Sequence, residues 1–158
     1  MVSTLEQALL AATLILNGLL AGASLEKAII QLPARRKIGL RAMADYHRAT
    51  DLGLGLFFYP PLGLGAPVLT WAAAAALFQG GDVSGGAMAW IGVAAVLSIG
   101  HVLTTIGSAR NLLRLRKGIL PEKELSDLYQ RFATWSGARS LLQVSTFIVV
   151  VIAAVSVL

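Results

Sequence analysis

The sequence contains no cysteine, so disulfides, thiolate-ligated zinc, iron–sulfur clusters and a thiol nucleophile are all excluded. Charge is scarce: 13% of the residues are charged, with eight acidic, about half the ~25% usual in soluble domains. The two histidines, His47 and His101, have no H-x-x-H, E-x-x-H or H-E-x-x-H companion, so no metal site is expected. Nucleotide-binding and serine-nucleophile signatures are missing as well. Gly53-Leu54-Gly55 lacks the strand–turn–helix setting that would give it phosphate-binding meaning. There is no internal repeat at the period of a solenoid.

Apolar residues take up the room. They make up 56% of the chain, and the mean hydropathy is +0.74. Four apolar segments at residues 5–25, 52–78, 87–109 and 140–158 each approach or exceed the ~20 residues needed to cross a ~30 Å hydrocarbon core. The fold class read from this is all-α, an integral membrane four-transmembrane-helix bundle in one domain, residues 1–158. The first segment has no basic flank and is read as a retained span, not a cleaved signal.

The basic residues place the loops. Besides Lys27, they fall in two groups, from Arg35 to Arg48 and from Arg110 to Arg139. Loops 33–51 and 110–139 are therefore expected in the cytoplasm, with both chain termini on the outer side of a bacterial inner (plasma) membrane. Gln79 to Gly86, containing Asp82 and no basic residue, fits an outer loop. The net charge of +5 is thus a topology signal, which makes anionic lipid headgroups the expected partners of the basic loops, and nucleic acid not one.

Local signals fill in the path. Ser3 or Thr4 ahead of Glu6 starts the first helix, and Gly18 with Gly22 forms a GxxxG pair suited to close helix approach. Pro33 ends or kinks that helix, and a basic helical connector follows in which His47 reads as an interfacial histidine. Consecutive prolines predict a break near Tyr59-Pro60-Pro61, with Tyr59 on a pocket wall. Arg110 to Lys117 and Glu122 onward form a short cytoplasmic helical hairpin. There Leu125, Leu128, Tyr129 and Phe132 pack on Leu112, Leu113 and Leu115.

Polar side chains recur at helical spacing inside three of the apolar segments. Ser98, His101, Thr104, Thr105 and Ser108 share an arc of about 120°, and Thr13, Asn17, Ser24 and Gln31 fall within about 40°. Trp135, Arg139, Gln143 and Thr146 share about 80°. An amide or imidazole in hydrocarbon is costly unless it faces the bundle interior, so the lines are expected to converge. The convergence predicts an inward-opening pocket for a small aromatic or amphipathic ligand. His101 is the candidate general base, and Arg139 and Asn111 hold developing negative charge; Asn17, Tyr59, Thr105, Ser108, Trp135 and Gln143 are the candidate binding residues. No cofactor is expected, because His47 and His101 are assigned to different depths and cannot ligate one haem together.

Gly18-Leu19-Leu20-Ala21-Gly22, the following Pro33, Thr105 with Asn111, and Trp135 with Arg139 resemble motifs of the anthrone-oxygenase-like family of small four-helix membrane proteins. The family often has proline shortly before that asparagine, where this chain has Ala109-Arg110. The resemblance covers almost the whole chain. It implies a cofactor-independent oxygenase in which a histidine forms the anion of a reduced polycyclic phenol or quinone-like compound, which then reacts with dioxygen. The alternative from the residues themselves is a non-catalytic accessory or scaffold subunit that docks other membrane subunits through its glycine-rich faces.

Overall fold

A computed structural model describes residues 2–80 and 83–157, so Asp82 and Leu158 lie outside the described residues. Helix α1, Thr4–Glu26, opens with a capping box: the Ser3 hydroxyl accepts from the Glu6 N–H, and the Glu6 carboxylate accepts from the Ser3 N–H at 2.6 Å. A π-helical turn, Lys27–Gln31, follows and leads into α2, Leu32–Ile38. Pro33 has no N–H to bond back along the helix, and the pairing widens just ahead of it. Gly39, at φ +86°, turns the chain into α3, Leu40–Ala49.

A second π-helical turn, Thr50–Leu54, precedes α4, Gly55–Gly80. The chain breaks here, at Gly53 (φ −93°, ψ −119°), and not at Tyr59-Pro60-Pro61 as the prolines predicted. Both prolines are carried inside α4, at its sixth and seventh positions, where each forgoes an i→i−4 hydrogen bond without breaking the helix. Ser84 caps α5, Gly85–Leu113, by accepting from the Ala87 N–H. A 3₁₀ turn, Arg114–Lys117, and Gly118 at φ +117° then lead to α6, Glu122–Val157. Its acidic first turn complements the helix dipole.

The long helices form a ring in which α1 packs on α4 and α6, and α5 packs on α4 and α6. Each is long and apolar enough to cross a membrane. Near the chain termini the ring closes on small side chains: Ala73, Ala74 and Leu77 of α4 meet Ile91, Ala94 and Ala95 of α5, with Val150 and Ala153 of α6 alongside. Ile15, Leu19, Val68, Val96, Leu103 and Leu141 point outward, while Thr13, Asn17, Thr70, Ser98 and Thr146 point inward. This is the reverse of soluble patterning, and it is the arrangement by which polar groups satisfy one another inside a bundle with an apolar exterior. Of the GxxxG pair, Gly18 receives the Phe147 ring of α6, whereas Gly22 faces open space.

At the opposite end, α2 and α3 pack on the last turn of α5 and the first turns of α6. The expected contacts of Leu125, Leu128, Tyr129 and Phe132 with Leu112 and Leu115 are present, and Leu32, Met43 and Ala44 join them. Leu113 does not: it is exposed. This is the hairpin end of the bundle.

A Cβ at Gly55 would lie 2.8 Å from the Thr50 carbonyl oxygen, whereas one at Gly22 would meet nothing within 4 Å. Gly55→Ala is expected to lower stability by roughly 1–3 kcal/mol through this clash, and Gly22→Ala to raise it by up to about 1 kcal/mol. Thermal unfolding of the detergent-solubilised variants checks both signs.

Candidate functional site

Between the hairpin-end halves of α1, α4, α5 and α6 lies a cavity of about 420 Å³. It is left open by Gly63 of α4, where a Cβ would meet nothing within 4 Å, and by the alanines that seal α4 to α5 lying only toward the termini. Leu62 and Ala66 instead hold this part of α4 to Leu20 of α1.

Polar groups reach the cavity from every side. Ser24 and Lys27 come from the end of α1 and the turn after it, Asp51 from the second π turn, and Tyr59 from α4. His101, Thr105 and Ser108 come from α5, and Arg139 and Gln143 from α6. Several are already paired. Gln143 accepts a hydrogen bond from the Ser24 hydroxyl, and Ser140 donates to the Ser24 carbonyl at 2.9 Å. The Ser108 and Ser136 hydroxyls lie 3.1 Å apart.

Lys27 Nζ donates to Asp51 Oδ1 at 2.7 Å and sits 4.8 Å above the Tyr59 ring. Asp51 also faces His47, whose Nε2 is 3.5 Å from Oδ2, and the other ring nitrogen of His47 lies 2.9 Å from the Tyr129 hydroxyl. Tyr129 with His47 and Asp51 with Lys27 thus form two hydrogen-bonded pairs, and His47 Nε2 and Asp51 Oδ2 face each other between them without a hydrogen bond.

Among the described residues, buried atoms without a hydrogen-bond partner are Gln31 Oε1, His47 Nε2, Asp51 Oδ2, His101 Nε2, Thr105 Oγ1 and Arg139 Nε. Four of these belong to residues lining the cavity, Asp51, His101, Thr105 and Arg139, and His101 is only 2% exposed. Leaving buried polar atoms unpaired costs free energy, so a cluster of them on one cavity wall marks a place where a ligand can supply the missing partners. The charges do not balance either: Asp51 neutralises Lys27, and Arg139 makes no ion pair among the described residues.

Of the residues predicted from sequence, the structure brings His101, Arg139, Tyr59, Thr105, Ser108 and Gln143 together on the cavity. It leaves out Asn111, Asn17 and Trp135. Asn111 donates to the Gly107 carbonyl of its own helix at 2.8 Å. Asn17 is spent inside the bundle, donating to the Thr13 carbonyl at 2.9 Å and to the Thr70 hydroxyl at 3.1 Å. Trp135 lies across Gly107 on the bundle surface, 43% exposed, where glycine makes room for its ring.

Sequence reasoning missed the Lys27–Asp51 pair and did not anticipate that His47 is fully buried against the hairpin layer. One signal was available. Lys27 lies about 40° from Thr13 on a helical projection, at the edge of the same polar line, and a cation there calls for an anion. Among the described residues no three His, Asp or Glu side chains gather where they could share a metal ion. No protein-family model, curated protein or solved structure matches the chain.

Burial drives the Tyr129 hydroxyl above its ordinary range and lowers His47 from 6.5 to about 4, the latter against the pull of Asp51 and with help from Lys27. His47 is thus neutral in the folded protein. Below pH 6.5 the unfolded chain binds a proton that the folded one refuses, so the stability His47 confers is complete above that pH and is lost on descent toward 4. Melting temperature is expected to drop by several degrees between pH 7 and pH 4.5, and the drop to be smaller in His47→Gln. Thermal scans of both proteins across that range check this.

Proposed function

We propose that the chain spans a membrane four times, with its basic hairpin end in the cytoplasm, and that the cavity binds and deprotonates a small amphipathic molecule. The observation that carries this reading is the unpartnered, buried His101 Nε2 on the wall of a cavity that also holds the uncompensated Arg139. A neutral imidazole with a free ring nitrogen is a proton acceptor, and a guanidinium without a counter-ion favours the anion left behind. Thr105, whose hydroxyl is likewise unpartnered, supplies a neutral hydrogen bond to orient the ligand. A volume of about 420 Å³ is in the range of small-molecule sites, which run from about 300 to 1,000 Å³.

The resemblance to anthrone-oxygenase-like proteins extends this to a reaction. His101 removes a proton from the acidic methylene of an anthrone, and the resulting anion is oxidised by dioxygen. The methylene carbon becomes a carbonyl holding one oxygen atom, and the second oxygen leaves as water with the two hydrogens lost from carbon. Arg139 stabilises the enolate before oxygen reacts.

The test uses 1,8-dihydroxyanthrone as probe with the purified protein in detergent, following oxygen uptake and absorbance. The wild type should accelerate oxidation over the protein-free rate, and His101→Gln should lower that acceleration by about 10² or more. A His101→Gln rate equal to wild type removes the base from the mechanism, and the absence of any wild-type acceleration overturns the oxygenase reading.

A further inference from the structure

The cavity has an unusual outline. Toward the chain termini it stops at the alanine-sealed core, and toward the hairpin end it meets buried Asp51, Leu112 and Phe132. On the side between α4 and α5 the lining residues are at the same time part of the outer surface. Leu64 is 60% exposed and Ile106 51%, and Leu113 and Tyr59 are exposed as well. The wall is therefore interrupted sideways, through apolar residues, on a surface as apolar as the rest of the bundle exterior.

Inside, the two lining cations lie on the wall farthest from that gap, while Tyr59, His101, Thr105 and Ser108 come from the helices that border it. Arg139 and Gln143 belong to α6, which does not border it, and Lys27 with Ser24 belongs to the α1 side. Arg139 has no carboxylate partner among the described residues, so the site is one negative charge short. A guest that fits must be anionic at the end that reaches Arg139 and apolar along the part lying between α4 and α5.

We infer that the guest is an amphiphilic acid drawn from the bilayer through the gap between α4 and α5, its ionised head paired with Arg139 and its apolar body left in the gap. The inference rests on the membrane-spanning, ligand-binding reading above and assigns its substrate class and route. It does not depend on the His101 chemistry. The head chemistry is that of a carboxylate or a phosphate, either of which satisfies a guanidinium bidentately. Lys27 gives one N–H to Asp51 and adds positive field to the site.

Native mass spectrometry of the protein released from nanodiscs tests this with oleate as the amphiphilic acid, oleyl alcohol as its uncharged counterpart, and acetate and inorganic phosphate as heads without a body. Oleate is expected to be retained one per chain, with oleyl alcohol, acetate and phosphate each held at least about tenfold more weakly. Arg139→Gln should weaken oleate by about tenfold or more and Arg139→Lys by less, since the charge remains. Ile106→Trp, on the exposed rim, should reduce oleate uptake while the variant stays monodisperse.

Equal binding of acetate or phosphate would mean a water-fed anion site and overturn the lateral route. Equal binding of oleyl alcohol, or no effect of Arg139→Gln, overturns the charge pairing. The oleate and oleyl alcohol comparison needs only the wild type, so it decides the matter even where the Arg139 variants do not fold. Retention of oleate without anthrone turnover leaves this inference standing and removes the oxygenase reaction alone.

Discussion

The pairing of Lys27 with Asp51 fixes the geometry on which the rest depends. Each residue lies in a π-helical turn, one just after α1 and one just before α4, so a single 2.7 Å contact joins the two irregular points of the chain. The α2 and α3 segments between them are thereby folded back against α5 and α6, where Met43 and Ala44 complete the hairpin-end cluster. Two charges in such a place cost several kcal/mol each to desolvate, and the pair is tolerated because Tyr59 and His47 flank it. Asp51 bonds Lys27 and makes no ion pair with Arg139, so two cations and one carboxylate leave the cavity with an excess of positive charge, which gives it its chemical character.

A second constraint is the sorting of polarity. Threonine, serine and asparagine groups along the helices point inward and return their hydrogen bonds to backbone carbonyls or to each other, as Thr13 does to Leu69 and Thr70 to Ala66. Such bonds are each worth little, yet they remove the expense of an unpaired group in an apolar medium. Where the pattern fails, four of the residues concerned, Asp51, His101, Thr105 and Arg139, share one cavity, while Gln31 and His47 lie outside its lining. A stable bundle scatters such defects or removes them; gathering them is what a binding site requires.

Most of the helical layout was legible in the sequence, because apolar run length and helical period are local properties. The inward polar lines of α1, α5 and α6 follow from spacing alone, and Thr13, Ser24, His101, Ser108 and Gln143 are buried as that spacing requires. Position of the break before α4 was not legible: proline chemistry says which N–H is missing, but not that the chain departs from helical geometry upstream, at Gly53. Asn111, expected at the site, falls about 80° from His101 and bonds back to the Gly107 carbonyl of its own helix. Trp135 shares its helix face with Arg139, yet the bare backbone at Gly107 offers its ring a seat outside. Asp51 and Lys27 are 24 residues apart and meet only through two π turns that no residue preference announces.

The ring of helices also sets an order of assembly. Three of its seams join long helices adjacent along the chain, while the fourth, between α1 and α6, joins opposite ends of the sequence. That closing seam carries the Ser24–Gln143 and Ser140–Ser24 hydrogen bonds and the seat of Phe147 on Gly18. Contacts distant in sequence cost the most entropy to form and come late. The α1–α6 seam that closes the chamber is thus the costliest to form, and a chain halted before α6 has its neighbouring helices paired but no chamber between them.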